Sequence, residues 1–276
     1  MKRIYIALSV LLICQGPAGP VRGENDETVT KVIEKLEDAP ARGRRPLKDA
    51  FEQLPEGCKI RITVDRFFDQ GHSTSSGLFE PYVSSFVPVN AEGKEDGVQR
   101  FLETNQRVSK TVTWKEGVKD GPECVYNVWP RYKKAEVPWV KGKIEGTRKT
   151  FYENGNVRSE TPYKDGEPHG LAKNYSTNGR VTRECTMKQG VRDGKLVDYW
   201  PRTAQPRRVI TYDMGKVQGI VREFYENSQL KREVPFENDT MHGEEKRFEE
   251  NGEPARSRYW INGDLVSKTE FELKSE

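Results

Sequence analysis

Apolar residues follow two different spacings in the first part of the chain. They recur at helical spacing between Thr28 and Leu36, which predicts a short helix there with Asp26 or Thr28 as its N-cap. The basic stretch 41–49 (ARGRRPLKD) predicts a loop. From 59 to 65, Ile and Val alternate with polar residues, and this is the period of a half-buried strand.

A glycine recurs every 24 or 25 residues from position 97 onward. These unit glycines are Gly97, Gly121, Gly146, Gly170, Gly194, Gly219 and Gly243. Five residues after each stands an apolar, mostly aromatic residue: Leu102, Tyr126, Phe151, Tyr175, Tyr199, Phe224 and Phe248. A second large residue follows 17 or 18 positions after the glycine: Trp114, Trp139, Tyr163, Met187, Tyr212, Phe236 and Trp260. The common spacing predicts seven copies of one structural unit.

The unit that begins at Gly146 shows what the copies form. Asn154-Gly155 separates two short segments and predicts a β-hairpin, because both residues tolerate positive φ. A three-residue loop ending in Gly155 places Phe151 opposite Val157. The same pairing is predicted for Leu102–Val108, Tyr175–Val181 and Phe224–Leu230. Such cross-strand pairs contribute about 0.2–1 kcal/mol each, so a ladder of them can hold a sheet without a thick core.

Two units are one residue longer than the rest. The units that begin at Gly121 and Gly194 lack Asn-Gly and carry Trp-Pro-Arg in the loop region. The additional residue is therefore predicted to lie in the hairpin loop, where proline is tolerated because no ladder hydrogen bond is lost. These two glycines are 73 residues apart, and the same step relates Gly97, Gly170 and Gly243. We infer a triplet of hairpins that was duplicated.

Composition agrees with a thin sheet. The 276 residues are 32% charged, and the mean hydropathy is -0.86, which is polar for a globular domain. We therefore expect an all-β fold, an elongated antiparallel sheet of tandem β-hairpin repeats with a short N-terminal helical segment. The predicted organisation is a signal peptide over 1–23, a capping region over 24–96 with a suggested degenerate repeat near 71–96, seven hairpins over 97–267, and a tail over 268–276.

The N-terminus has the pattern of a secretory signal. Two basic residues precede an apolar run from Ile4 to Cys14, and a segment rich in Gly and Pro follows. The run has 11 residues, whereas about 20 are needed to cross a bilayer. Two cleavage points, after Ala18 and after Gly23, satisfy the preference for small residues at the cleavage site. A lipoprotein anchored at Cys14 is a weaker alternative, because bulky Ile13 precedes the cysteine. The chain is thus expected to be exported to the periplasm, cell envelope or extracellular space.

The charge balance argues against nucleic acid as a partner. Residues 1–23 hold three of the 46 basic side chains and none of the 43 acidic ones, so the remainder carries 43 of each. Proteins that bind nucleic acid or an anionic membrane by electrostatics neutralise phosphates with an excess of Lys and Arg. The sequence therefore predicts no nucleic acid binding, while membrane association is kept as an alternative.

No constellation of residues indicates an enzyme, a cofactor or a metal. After processing, the cysteines are Cys58, Cys124 and Cys185, an odd number without the short spacing of a disulfide framework or zinc site. They are expected to be small half-buried residues, with one disulfide and one free thiol as the alternative. His72 beside Ser73 lies in a loop that lacks the glycine and helix of a nucleophile elbow. We expect no catalytic, cofactor-binding or metal-binding residues.

Residues 151–170 read FYENGNVRSETPYKDGEPHG, with an aromatic, Asn-Gly, a second aromatic and two glycines four residues apart. This pattern resembles the MORN repeat, specifically the variant in bacterial proteins named after the antitoxin YwqK. The resemblance extends over about 170 of the 276 residues. It implies a β-hairpin array used in protein contacts and scaffolding, with lipid association proposed for some members, and it implies no catalytic residues. A signal peptide would keep this chain away from a cytoplasmic toxin.

Tyr152, Trp200 and Tyr225 are the candidate binding residues. Each directly follows a ladder aromatic, so alternation along a strand directs it to the opposite face. The alternative is that they pack against a neighbouring loop or the N-terminal segment. The sequence thus predicts an exported, non-catalytic repeat protein that binds an unidentified protein or glycan or acts as a scaffold. An antitoxin-like or inhibitor-like protein and a lipid-associated envelope protein are the alternatives.

Overall fold

The computed structural model of this chain describes residues 28–40, 44–52, 54, 57–65 and 82–275. The predicted signal peptide, with Cys14 and both cleavage points, lies outside the described residues, and so does the first part of the suggested repeat near 71–96. The chain divides into two compact units, Met1–Val118 and Lys119–Glu276. Each is described by itself.

Among its described residues, the first unit contains five complete strands and a short helix. The strands are β1 (Thr28–Ile33), β2 (Lys59–Asp65), β3 (Tyr82–Val89), β4 (Gly97–Leu102) and β5 (Val108–Lys115), and the helix is α1 (Arg44–Glu52). Each strand pairs antiparallel with the next. Leu47, Ile60, Ile62 and Phe86 are fully buried in the core beneath α1. β4 and β5 form hairpin 1.

The predicted helix from Thr28 to Leu36 is wrong. Thr28–Ile33 is β1, and its six residues pair with β2 from Asp65 back to Ile60. Only a single turn of 3-10 helix follows, at Leu36–Asp38. The segment TVTKVI is rich in β-branched residues, which lose side-chain freedom in a helix and pack well in a sheet. The alternating strand at 59–65 offers it a complete ladder of backbone hydrogen bonds.

The N-terminal helix lies instead in the stretch predicted to be a loop. α1 covers Arg44–Glu52, where Leu47 and Ala50 are buried and Phe51 is half-buried. These three residues are spaced at i, i+3 and i+4, so they share one face of the helix. The arginines before Leu47 and the charged pair Lys48-Asp49 after it obscure that short apolar stripe in the sequence.

The second unit continues the hairpin pattern through six further hairpins. The strands are β6 (Val118–Asn127), β7 (Tyr132–Val140), β8 (Lys143–Ile144), β9 (Gly146–Phe151), β10 (Val157–Lys164), β11 (Glu167–Pro168), β12 (Gly170–Tyr175), β13 (Val181–Lys188), β14 (Val191–Tyr199), β15 (Pro206–Asp213), β16 (Lys216–Val217), β17 (Gly219–Phe224), β18 (Leu230–Glu237), β19 (Thr240–Met241), β20 (Gly243–Arg247), β21 (Arg258–Ile261) and β22 (Asp264–Val266), followed by helix α2 (Lys268–Ser275). Hairpins 2 to 7 are β6–β7, β9–β10, β12–β13, β14–β15, β17–β18 and β20–β21. All strand pairs among the described residues are antiparallel, so the all-β hairpin fold is confirmed.

The predicted cross-strand pairs are present. Phe151 pairs with Val157, and the same register holds for Leu102–Val108, Tyr175–Val181 and Phe224–Leu230. The Tyr152 amide donates to the Asn156 carbonyl at 2.8 Å, and Gly155 has φ of 86°. In hairpin 5, Tyr199 pairs with Pro206, one position later than in the shorter units. The additional residue therefore lies in the loop.

The two ends of each hairpin differ. The tip loops lie between the two strands of a hairpin, and in hairpins 2–7 they are residues 128–131, 152–156, 176–180, 200–205, 225–229 and 249–253. At the other end, consecutive hairpins are joined by two-residue turns such as Met214-Gly215, with φ of 46° and 90°. Positive φ at both positions is the type I′ geometry that matches the twist of a sheet. Asp239 holds this conformation in place of glycine, and its Oδ1 accepts a 2.6 Å hydrogen bond from the Val217 amide.

The unit glycines have positive φ, and at Gly243 the absence of a side chain is also needed for space. Gly243 has φ of 119°, and a Cβ added there would lie 2.8 Å from Cγ of Pro235 in hairpin 6. Real Cβ atoms do not approach a carbon so closely, and the conformation itself is unfavourable for L residues. Glycine at this position therefore lets hairpin 7 pack against β18 of the hairpin before it.

Burial in the second unit is confined to a thin layer. Cys185, Leu196, Ile210 and Val221 form a buried cluster on successive strands. Met187, Tyr212, Val217 and Phe236 cover it in part. After β22, helix α2 returns over β21, where the Tyr259 and Phe271 rings lie 5.3 Å apart. The helix thus covers apolar surface of hairpin 7.

Candidate functional site

The two faces of the second unit differ in composition. The glycine face carries the unit glycines and the buried apolar cluster. The ladder face carries Phe151, Tyr175 and their equivalents. Because neighbouring strands are in regular antiparallel register, side chains at the same position of successive hairpins form rows across the sheet.

Acids and bases alternate in a row across the ladder face. Glu136, Lys149, Glu160, Lys173 and Glu184 are cross-strand neighbours in that order. Lys149 pairs with Glu160 at 3.1 Å and Lys173 with Glu184 at 3.1 Å. Each positive charge on this part of the face therefore has an acid beside it.

Two tyrosines complete this row. The Tyr175 hydroxyl donates to Glu160 at 2.7 Å, and the Tyr199 hydroxyl donates to Glu184 at 2.8 Å. The tyrosine hydrogen bonds and then the neighbouring lysines hold the pKa of both glutamates below the ordinary value. Burial and the carboxylate raise the pKa of each tyrosine to about 12. The hydroxyls therefore stay protonated at neutral pH and act as donors within the sheet.

A second charged row crosses the glycine face. Arg183, Asp198, Arg208, Glu223 and Arg232 are cross-strand neighbours in that order. Asp198 contacts Arg183 at 2.5 Å and Arg208 at 2.9 Å, and Glu223 contacts Arg232 at 2.8 Å. Burial opposes ionisation of Asp198, but the hydrogen bonds and charges of the two arginines outweigh it and hold its pKa below the ordinary value. Both charged rows thus satisfy themselves within the sheet.

Tyr152 and Tyr225, two of the three predicted binding residues, link one hairpin to the next. The Tyr152 hydroxyl donates to the Tyr175 carbonyl at 2.7 Å, and the Tyr225 hydroxyl donates to the Phe248 carbonyl at 3.0 Å. Both residues are half-buried. Arg158 lies over the Tyr152 ring and Lys231 over the Tyr225 ring. These tyrosines therefore have a structural role at the tips, whatever they also contact.

Trp200, the third predicted residue, is also covered in part. The Arg207 guanidinium carbon lies 5.4 Å from the centre of its ring. The indole Nε1 is buried and has no hydrogen-bond partner among the described residues. Tyr152, Trp200 and Tyr225 belong to hairpins 3, 5 and 6, so they lie at the tips of separate hairpins rather than in one contiguous aromatic patch.

Side chains hold the tip loops in a row. Asn154 donates to the Thr177 carbonyl at 2.9 Å, Arg180 donates to the Arg202 carbonyl at 2.8 Å, and Asn227 donates to the Glu250 carbonyl at 3.1 Å. Each bond joins a tip to the tip of the following hairpin. The loops are thereby fixed before any partner arrives, which lowers the entropic cost of binding.

Two features of the tips are missed when binding residues are predicted from the aromatic residues of the sequence alone. Trp129 in the tip loop of hairpin 2 is 79% exposed, which is the highest exposure among the large apolar residues described. The tip loops of hairpins 2–5 also hold three arginines, Arg131, Arg180 and Arg202, and a single acid, Glu153, and further basic residues lie on the strand ends beside them. The repeated Trp-Pro-Arg and the scarcity of acids in these loops are the sequence signals for both features.

The residues that the structure describes contain no group of three or more His, Cys, Asp or Glu that could hold a metal ion. Within the same part of the chain, no helix is long and apolar enough to cross a membrane. Cys58, Cys124 and Cys185 are free, and the last two are buried. Burial raises the pKa of the Cys185 thiol.

Three segments match a family model described as the MORN repeat variant: residues 144–165, 217–238 and 241–262. Each match begins at the last residue of a two-residue strand, β8, β16 or β19, and contains the whole hairpin that follows it, hairpin 3, 6 or 7. No curated protein matches the chain.

Proposed function

Because three segments of the chain match the MORN repeat variant, we propose that it is an exported, non-catalytic module that binds a partner protein through its tip loops. The row of tips held by side-chain hydrogen bonds is the observation that carries this proposal. Loops positioned by a rigid framework are the usual place of binding residues. The loops also vary in sequence between hairpins while the framework beneath them repeats.

The two charged rows argue against the centre of either face as the contact surface, and so favour the tips. Charged side chains at the centre of each face are paired with one another, and a partner that displaced them would leave buried or half-buried charges unpaired. Such a loss is costly. The tip loops, by contrast, expose donors, cations and the Trp129 ring without disturbing those pairs.

Affinity capture tests the proposal when it is combined with tip variants. The full chain is used as bait in an envelope extract of the source organism, and Trp129→Ser and Trp200→Ser are compared with Met214→Ser. Met214 is an exposed apolar residue of the turn edge and serves as the matched control. We expect partner proteins that are captured by Met214→Ser and are not captured by the tip variants. Identical partners with all three baits would overturn the assignment to the tips.

Export is tested separately. Mass spectrometry of the protein recovered from the envelope fraction is expected to find a new N-terminus after Ala18 or Gly23. An intact N-terminus in the cytoplasmic fraction contradicts export.

An antitoxin-like or inhibitor-like role is a special case of protein binding, and a single stoichiometric partner whose activity the chain blocks would identify it.

A further inference from the structure

Exposed cations at the tips of hairpins 2–5 form no ion pair with a described residue, in contrast to the charges of the two rows on the faces of the second unit. Six exposed basic residues occupy these tips and the strand ends beside them: Arg131, Lys134, Arg158, Arg180, Arg202 and Arg207. We refer to them as the basic tip row. No carboxylate among the described residues forms an ion pair with any of them, whereas Lys133 in the same region pairs with Glu136 at 2.7 Å.

Neutral groups hold several of these cations in place. The Arg158 and Arg207 guanidinium groups lie over the Tyr152 and Trp200 rings at 5.8 and 5.4 Å. Arg180 donates to the Arg202 carbonyl at 2.8 Å. A ring or a carbonyl orients a guanidinium group but leaves its charge and its other donors unsatisfied. Oriented guanidinium groups of this kind suit carboxylates, which accept two parallel hydrogen bonds from one arginine.

The basic tip row has a defined end. In hairpins 6 and 7 the tips carry four exposed acids, Glu226, Glu249, Glu250 and Glu253, and the exposed basic residues beside them are Lys231 and Arg256. An anionic membrane or a long nucleic acid that ran along the tips would meet this acidic segment and be repelled. A short anionic ligand would stop before it.

The spacing sets the length of that ligand. Each hairpin contributes two strands about 4.8 Å apart, so the tips of hairpins 2 and 5 are separated by roughly 29 Å. An extended polypeptide rises about 3.3 Å per residue, and roughly nine residues therefore span the row. Trp129, exposed beside Arg131, adds an apolar contact at one end.

We propose that the basic tip row binds an extended acidic segment of about nine residues in the partner protein. This rests on the proposed protein-binding function and specifies the chemistry of the partner. Carboxylates of the segment contact the unpaired guanidinium groups, and its length is limited by the acidic tips of hairpins 6 and 7.

Fluorescence anisotropy with the full chain tests the proposal. The probe is a fluorescein-labelled peptide of nine glutamates, and a Gly-Ser peptide of equal length is the neutral control. The tip variant combines Arg158→Gln, Arg180→Gln, Arg202→Gln and Arg207→Gln. Its matched control removes four exposed positive charges away from the tips, at Lys141, Lys164, Lys195 and Lys216. The tip variant is expected to weaken binding at least about tenfold, and the control by less than about threefold.

A second variant tests the boundary of the row. Replacing Glu226, Glu249 and Glu250 with Gln removes the repulsion at the tips of hairpins 6 and 7. This variant is expected to bind a fifteen-glutamate peptide at least about threefold more tightly than the unmodified chain, because the longer peptide then reaches beyond hairpin 5. Equal affinity of both chains for the longer peptide contradicts the boundary.

Equal weakening by the tip and control variants, or no binding of the nine-glutamate peptide, overturns the proposal. Binding of vesicles containing anionic phospholipid, lost in the tip variant while peptide binding is absent, would assign the row to a lipid surface instead. If captured partners still depend on Trp129 and Trp200 while the peptide does not bind, the acidic-segment proposal fails and the protein-binding function stands.

Discussion

The Tyr152 hydroxyl donates a 2.7 Å hydrogen bond to the backbone carbonyl of Tyr175 in the following hairpin. The Tyr225 hydroxyl makes the equivalent bond to Phe248. The aromatic residue after the ladder position thus ties successive hairpins together in two of the three cases in which the sequence predicted a binding residue.

Removing either hydroxyl should lower stability. Tyr152→Phe and Tyr225→Phe keep the ring and lose one half-buried hydrogen bond, so each is expected to reduce the free energy of unfolding by about 0.5–1.5 kcal/mol. Urea unfolding measures the change, provided that the slope of the unfolding free energy against urea concentration is the same in each variant. Tyr163→Phe is the matched control, because the Tyr163 hydroxyl bonds to no described residue. A loss as large for the control would show that the inter-hairpin bond is not the cause.

Alanine at two unit glycines should have unequal effects. Gly219→Ala meets only backbone strain, since no atom lies within 4 Å of the added Cβ, and should cost about 1–2 kcal/mol. Gly243→Ala also places Cβ 2.8 Å from Pro235 Cγ, and overpacking of this kind adds about 1–3 kcal/mol. Pro235→Ala in the Gly243→Ala background should recover part of the difference. Equal unfolding free energies for the two alanine variants would rule out the clash.

Asp198 should contribute to stability in a pH-dependent way. Its folded pKa is below the ordinary value. Ionised Asp198 therefore contributes its full stabilisation above the pKa of the carboxyl group in the unfolded state, near 3.9. This stabilisation is lost as the pH falls through the lower pKa of the folded state. Asp198→Asn is expected to cost about 1–3 kcal/mol at pH 7, and the difference from the unmodified chain should shrink below about pH 4.

Asp213→Asn is the control for this prediction. Asp213 is exposed and forms no ion pair with a described residue, so its replacement should change stability by less than about 0.5 kcal/mol. Chemical unfolding at pH 7, 5 and 3 provides the comparison. A difference between Asp198→Asn and the unmodified chain that stayed constant across this range would contradict the linkage.

The turn Met214-Gly215 offers a stabilising change. Met214 holds φ of 46° and is 66% exposed. Asparagine tolerates this conformation better, so Met214→Asn should raise stability by about 0.5–1 kcal/mol, part of the roughly 1–2 kcal/mol that left-handed backbone costs an ordinary residue. Asp239→Gly relieves similar strain but removes the bond to the Val217 amide, and no net gain is expected. Thermal unfolding of both variants provides the measurement.

The repeated hairpins could be predicted from the sequence because the signals that specify them are local. Asn154-Gly155 and the ladder pair Phe151–Val157 lie within seven residues of one another, and the turn chemistry alone determines their register. The segment from Thr28 was predicted incorrectly because its partner strand begins 31 residues away at Lys59, and an isolated stripe of apolar residues is compatible with helix or strand. The roles of Tyr152 and Tyr225 depend on carbonyls 23 residues further along the chain.

The sequence by itself therefore determined the period, the tip and turn positions and the pairing within each hairpin, since all of these follow from turn residues and strand alternation over short distances. Only the tertiary structure decided which side chains meet across successive hairpins. It paired the charges of both faces into rows and fixed the tip loops to one another. It also left the cations of the basic tip row without acid partners. Those relationships join residues 13 to 23 positions apart through sheet register, and no local pattern encodes them.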